Sequence, residues 1–298
     1  MNISLSQKAK NSSSYLQYWL KTFRAGLTLL CVICLFVFPL LTQNTYYLSI
    51  FITPMIFTIF AASWDFLAGF AGQVSFGQSI FFGISAYITS YFLKYLQFNW
   101  GFSLIIGALV GVAVGLIVGI PSLRLKGPYL ALATLMFSLI LFQLFMMEQL
   151  TPFLGGTQGI PNVRPLSDNI VEVYFIYLII MIICVLVMIW IGKSNFGTIL
   201  KSIRDDDKGA RASGINIAKY KIYAFMISGF FAGIAGGLFA MQNRGAGPSI
   251  FLPNYSFYAI VFAALGGIGT ISGAGLGAFF FWLLYAFFQF CKMFLLPI

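Results

Sequence analysis

Between residues 25 and 293 the chain is a succession of nine apolar runs: 25–41, 46–64, 74–93, 101–120, 128–147, 171–191, 220–241, 256–268 and 274–293. Most have about the 20 residues that an α-helix needs to cross bilayer hydrocarbon. Only 8% of the 298 residues are charged and 60% are hydrophobic. Soluble domains carry roughly 25% charge, so this chain cannot clothe a water-facing surface. The pattern predicts an all-α polytopic transmembrane bundle of about 8–9 spans. Two runs are irregular. The run 256–268 is short and ends in "LGGIGTISGAG", and 74–93 opens with the polar "GQVSFGQS". The former reads either as a full span completed by its flanks or as a broken, re-entrant one.

The net charge is +10, and the basic residues lie between the apolar runs. That placement points to topology and not to nucleic acid, because cytoplasmic loops retain Lys and Arg. Residues 1–24 are polar and carry Lys8, Lys10, Lys21 and Arg24. With the run 25–41 they resemble a signal peptide, but the run is long and no small-x-small site follows it. The reading is a cytoplasmic tail (1–24), then a single transmembrane domain (25–298) whose first span is retained. If every run crosses, the inner side holds four basic residues in the tail, Arg124 and Lys126 in "PSLRLKG", and seven in 192–221. The outer side holds Lys94, Arg164 and Arg244, with Lys292 near the last end. The longest outer loop, "EQLTPFLGGTQGIPNVRPLSDNI", contains three prolines and three glycines and reads as a shaped loop.

Chemistry is sparse. There is no histidine, so the usual general base is missing. Cys31 and Cys34 form a C-x-x-C inside an apolar run with no second pair; they, Cys184 and Cys291 read as small packing residues. "GKS" at 192–194 lacks the upstream glycine of a phosphate loop. Asp205, Asp206 and Asp207 point about 100° apart on a helix and do not converge on a metal, and Arg204 and Lys208 are their local partners. No cofactor, metal or catalytic set is expected, and the chain does not read as an enzyme.

Glycines recur every four residues at Gly107, Gly111, Gly115 and Gly119, and at Gly229, Gly233 and Gly237. Lipid gives helices no hydrophobic reason to associate, so small residues permit close approach instead. The stripes serve packing within the chain or against a second subunit. In 69–92, Ser75, Ser79 and Gly83 read as one helical face, and Gln73 and Gln78 need partners at membrane depth. Gln73, Ser75, Gln78 and Ser79 therefore line a translocation path or tie helices together. Asp65, at a span end, reads as interfacial and structural.

The segment "GTILKSIRDDDKGARASGINIAKYK" holds nine charged residues, more than a third of the total. Residues 198–213 predict one short helix with Ile199, Leu200 and Ile203 on one side and a patch of Gly209, Ala210, Ala212 and Ser213, ended by Gly214. Arg204 and Arg211 can orient it on a partner through bidentate ion pairs.

Five blocks carry a resemblance: "LAGFAGQVSFGQSIFFGISAYITS", "LRLKGPYLALATLMFS", "GGTQGI", "SIRDDDKGARASGINIAKYKIYAFMISGFFAGIAGGLFA" and "FAALGGIGTISGAGLGA". In that order they resemble the M-type permeases of branched-chain amino acid ABC transporters, over about residues 46–280. The resemblance implies a permease forming half of a translocation path with a second permease subunit. It also implies two cytoplasmic ATP-binding subunits and a periplasmic or surface solute-binding protein, in a bacterial inner membrane. It places an ATPase-coupling helix in the cytoplasmic loop 192–220, at Lys201, Arg204, Asp205, Lys208, Gly209, Arg211, Ala212 and Gly214. It places Gly155, Gly156, Thr157 and Gly159 on the binding-protein side. Branched-chain amino acids are the leading cargo; urea and short amides are carried within the same family. An ion-coupled carrier of a small solute is the alternative outside it, against which the scarcity of mid-span carboxylates counts.

Overall fold

The computed structural model describes residues 26, 30–40, 42, 44–125, 127–167 and 169–295, with side chains of the last helix as far as Phe288. The tail 1–24, Lys126 and Asp168 lie outside the described residues. Helix α1 (Leu30–Leu40) belongs to a first unit, residues 1–44; everything from Thr45 onward forms the second.

Helices in this second unit follow the apolar runs. They are α2 (Thr45–Asp65), α3 (Gln78–Lys94), α4 (Trp100–Ser122), α5 (Pro128–Phe145), the one-turn α6 (Thr151–Leu154) and α7 (Ile170–Lys193). Then come α8 (Asn195–Asp205), α9 (Asp207–Ala212), α10 (Ile217–Gln242), α11 (Pro253–Gly266) and α12 (Ile271–Leu295). A π-helical turn, Phe66–Phe70, extends α2. Among the described residues six helices are long and apolar enough to cross a membrane: α2 with its π turn, α4, α5, α7, α10 and α12. At 1.5 Å per residue α3 reaches about 25 Å and α11 about 21 Å, short of a bilayer core of about 30 Å. Asparagines start three helices by accepting from backbone N–H groups: Asn99 from Gly101, Asn169 from Val171 and Asn216 from Lys219.

The bundle is assembled around α10 and α2. Helix α10 packs on α4, α3 and α2, and α2 packs on α7, α11 and α12. The glycine stripes meet each other. A Cβ on Gly111 would strike the Gly229 carbonyl, and a Cβ on Gly229 the Gly111 carbonyl. One on Gly115 would lie 2.6 Å from the Phe225 carbonyl, and one on Gly233 would lie 2.8 Å from Ser85 Oγ. At Gly107 the obstacle is Thr89, at Gly237 it is Leu104 and Thr89, and at Gly119 it is the Phe225 side chain. Both stripes are thus spent inside the chain. Beside them an aromatic cluster joins α2, α3, α10, α11 and α12. Phe57 contacts Phe82, Phe239, Tyr255, Phe262 and Trp282 with ring centroids 5.2–6.3 Å apart, apart from Tyr255 at 6.4 Å. Such pairs add about 0.5–1.5 kcal/mol each beyond area burial. The outer sides of α4, α5, α7 and α12 expose Ile117, Ile140, Leu186 and Phe280, as lipid-facing helices do.

The polar opening of the run 74–93 is not helical. Residues 72–77 form an irregular segment before α3, so Ser75 does not share a helical face with Ser79 and Gly83 as the spacing predicts. Gly72, at φ +66°, makes the turn out of the π helix. Irregular backbone at membrane depth is tolerated where protein encloses it. Here Phe76 N donates to Thr134 Oγ1 at 3.0 Å and Trp64 Nε1 to the Ser75 carbonyl at 2.7 Å. The short helix α11 is likewise preceded by a 3-10 turn, Pro248–Phe251, packed on α3 and α5.

Candidate functional site at the charged end of the bundle

The charged segment folds as two helices, not one. Asp206 is extended (φ −151°, ψ 100°), and its Oδ1 accepts from Lys208 N at 2.9 Å, capping α9. A carboxylate that caps a new helix ends the old one. The three aspartates therefore serve as the last residue of α8, the cap, and the first residue of α9. Helix α9 ends at Ala212 and is followed by Gly214, whose φ of +80° suits glycine, with Ile215 N donating to the Ala210 carbonyl at 3.1 Å.

The inner side of the pair is apolar. Ile203, Ala210 and Ile217 form a small core with Ile199, Ile215 and Tyr220. Ala210 is thus buried and does not belong to the expected outer patch; Gly209, Ala212 and Ser213 are exposed. Lys208, Arg211 and Gly214 are also exposed.

Two basic residues turn inward. Lys201 Nζ lies 4.6 Å from the centroid of the Phe70 ring. Arg204 Nη1 donates to the Gly69 carbonyl at 2.5 Å, while Nε donates to Asp205 Oδ1 at 2.9 Å. Arg204 is therefore anchored to the π turn; it is not a free cation awaiting an acidic partner. Asp207 pairs with Lys221, Nζ to Oδ2 at 3.0 Å, and not with Lys208 as adjacency suggests.

The π turn is itself tied to the loop between α11 and α12. Gly269 N donates to Asp65 Oδ1 at 2.6 Å, and a Cβ on Gly69 would lie 2.6 Å from Gly269 N. Asp65, expected to be structural, is fully buried at the end of α2, and among the described residues its Oδ2 has no hydrogen-bond partner. Arg204, Gly69, Asp65 and Gly269 thus form one chain of contacts from α8 through the end of α2 to the loop between α11 and α12. Single-residue propensity gave no signal of it, because it depends on carbonyls and a nonlocal loop. Among the described residues no three metal-ligating side chains converge.

Of the four residues expected along a path, Gln73 alone lines the cavities found at this end. Ser75, Gln78 and Ser79 are fully buried in ties between elements. Gln78 Nε2 donates to Ser63 Oγ at 2.8 Å and to Ser228 Oγ at 3.0 Å, joining α3 to α2 and α10. Ser75 Oγ accepts from Gly77 N at 3.1 Å, and Ser79 N donates to Ser256 Oγ at 3.0 Å.

A profile described as branched-chain amino acid transport system / permease component matches residues 46–295. The chain belongs to this permease family. Permeases of this family are transport subunits, not enzymes. Relatives include LivM, the high-affinity branched-chain amino acid transport system permease protein of Escherichia coli K12. It is 26% identical over 245 residues, 72% of this chain and 57% of the relative. LivM of Salmonella typhimurium LT2 is 27% identical over the same extent. The autoinducer 2 import system permease protein LsrC of Photorhabdus luminescens is 36% identical over 113 residues, 34% of this chain and 32% of the relative. The chain spans a little over half the length of the LivM relatives it matches. No solved structure matches.

The far end of the permease carries the loop Thr151–Val163. Strand β1 (Ile160–Pro161) pairs antiparallel with β2 (Gly245–Ala246), and Val163 N donates to the Arg244 carbonyl at 3.0 Å. Gly155, Gly156 and Gly159 all have positive φ, and a Cβ on Gly159 would strike the Ala246 carbonyl. Gly156 and Gly159 are buried; Thr157 is exposed. The glycines shape this loop, and Thr157 is the member of the set that presents a side chain outward.

Proposed function

We propose that the chain is one permease subunit of an ATP-driven ABC importer in a bacterial inner membrane, forming half of the translocation path with a second permease. Branched-chain amino acids are the proposed cargo, after the named role of LivM; the LsrC relatives and the urea and short-amide members of the family mark other small solutes as rivals. The observation that carries the reading is the two-sided build of α8–α9. Its outer surface exposes Lys208, Gly209, Arg211 and Ala212, while Lys201 and Arg204 grip the π turn below. An element with an open outer face and an anchored inner face can take up motion and pass it on.

In this reading the charged end, with the tail 1–24, faces the cytoplasm, and residues 25–298 act as one permease domain. Two ATP-binding subunits dock on α8–α9 within the loop 192–220. Their closure on ATP displaces α8, and the contacts Arg204–Gly69 and Asp65–Gly269 carry the shift into α2, α11 and α12, changing the populations of inward- and outward-open states. The loop around Gly155, Gly156, Thr157 and Gly159 faces a solute-binding protein. Mild-detergent pull-down of the tagged chain from its native cell tests the class: co-recovery of an ATPase and a second permease is expected.

A second reading rests on the buried Asp65. A carboxylate with one unpaired oxygen is what an ion-coupled carrier would need. That reading requires uptake to follow an ion gradient and to survive removal of the ATPase subunits.

A further inference from the structure

Two cavities of about 520 and 760 Å3 at the charged end adjoin along Gln73, Leu125, Asp207 and Lys221. They lie between the irregular segment after the π turn, the start of α5, α9 and the first turns of α10. Four basic residues line them, Arg204, Lys208, Arg211 and Lys221, against one acid, Asp207. Two of the four are engaged. Arg204 holds Gly69 and Asp205, and Lys221 holds Asp207 at 3.0 Å. Lys208 and Arg211 form no ion pair among the described residues. They stand three positions apart on α9, on one side of a helical turn. The cleft is therefore basic, with two neighbouring cations unmatched.

Its other walls are apolar, and they run out to the lipid-facing surface. Val74 and Leu132 line the cleft and are 44% and 54% exposed. Leu132 begins a stripe of exposed apolar residues on α5, followed at four-residue intervals by Met136, Ile140 and Leu144. At 1.5 Å per residue the stripe covers about 18 Å, enough for one leaflet of a hydrocarbon core about 30 Å thick. Tyr129 in the first turn of α5 and Trp190 in the last turn of α7 are both exposed at this same end. Exposed Tyr and Trp mark the membrane–water interface, the level of lipid headgroups.

We propose that the cleft binds an anionic phospholipid from the surrounding leaflet, its phosphate on Lys208 and Arg211 and one acyl chain along Leu132, Met136 and Ile140. An ammonium and a guanidinium both take phosphate oxygens, the guanidinium through two parallel N–H bonds. Inorganic phosphate leaves the apolar walls bare, and a zwitterionic lipid adds a cation to a site that already has a surplus. Basic pockets between membrane helices on the cytoplasmic side suit such headgroups. Bound there, the lipid ties α9 to α5. The site needs neither an ATPase nor a cargo; the importer reading contributes only the cytoplasmic facing of this end.

Native mass spectrometry of the full-length chain, purified without its partners and delipidated in mild detergent, tests this. Dioleoylphosphatidylglycerol should bind about tenfold or more tightly than dioleoylphosphatidylcholine, whose acyl chains are the same. Lys208→Gln combined with Arg211→Gln should bring the two lipids within about twofold. Lys193→Gln combined with Lys219→Gln removes as many charges from exposed positions outside the cleft and should keep the preference. Leu132→Trp changes no charge and fills the entrance from α5, so it should also weaken phosphatidylglycerol binding. Equal affinity of the parent chain for both lipids overturns the proposal, and is the result if the cleft is reserved for a segment of the ATPase. Equal loss in the Lys193/Lys219 pair, displacement of the lipid by excess inorganic phosphate, or full binding in Leu132→Trp overturns it too. None of these outcomes touches co-recovery of the ATPase, so the lipid site and the importer reading fail separately.

Discussion

Gly111 and Gly229 face each other with backbone against backbone, whereas Gly119 faces the Phe225 side chain at 3.2 Å from where a Cβ would sit. The difference matters because a Cβ on Gly111 would overlap a helix carbonyl outright, whereas one on Gly119 would meet the Phe225 Cβ at 3.2 Å and asks its neighbour to give by only a few tenths of an ångström. Gly111→Val should therefore force α4 and α10 apart and cost about 1–3 kcal/mol or more, as overpacking does. Gly119→Ala should be nearly silent. Thermal unfolding of the two purified variants, followed by fluorescence in one detergent, checks the pair: a drop of several degrees for Gly111→Val beside an unchanged Gly119→Ala is expected. The four-residue spacing showed that both stripes serve close approach. It could not show that they meet each other, because a stripe looks the same from sequence whichever helix covers it. The buried hydroxyls and amides behaved similarly. Ser75, Gln78 and Ser79 need partners at depth, and the structure supplies Gly77 N, Ser63, Ser228 and Ser256, while the Gln78 amide oxygen has no partner among the described residues.

Helices α8 and α9 combine legible and illegible features. Concentrated charge beside Ile199, Leu200 and Ile203 marks an amphipathic surface element, and α8 is one. The break at Asp206 was hidden, since three aspartates in a row fit a helix terminus as well as a helix interior. So was the inward turn of Arg204, whose acceptor is a carbonyl 135 positions away. The irregular backbone at 72–77 and the shortness of α11 were foreshadowed by the polar opening of one run and the glycines closing the other. These features bear on the choice of variant. Gly209→Glu would confound docking with folding, because a Cβ there lies 2.6 Å from the capping carboxylate of Asp206. Ala212 is exposed at the last turn of α9. Ala212→Glu should leave the chain folded and assembled with its ATPase partner while lowering ATP turnover of the reconstituted complex by about tenfold, a loss of roughly 1.4 kcal/mol of coupling. Size-exclusion chromatography with a phosphate-release assay reads both.

From Thr45 onward the chain is a helical bundle with the charged helices α8 and α9 at one end. Its centre is closed by glycine contacts and aromatic rings. At its charged end a two-helix element, tied to the π turn by Arg204, stands beside a basic cleft. At its far end a two-residue strand pair fixes a glycine-shaped loop. Membership of the permease family fits this division, and the claim on which everything else rests is that the charged end is the handle an ATPase moves. Photo-crosslinking tests it most directly. A photoreactive amino acid is placed at Ala212 in one variant and at Thr157 in another, and the complex is irradiated in native membranes. The expected result is a covalent product with the ATP-binding subunit from position 212 and none with it from position 157. An ATPase trapped from position 157, or position 212 labelled only from outside the cell, would contradict it.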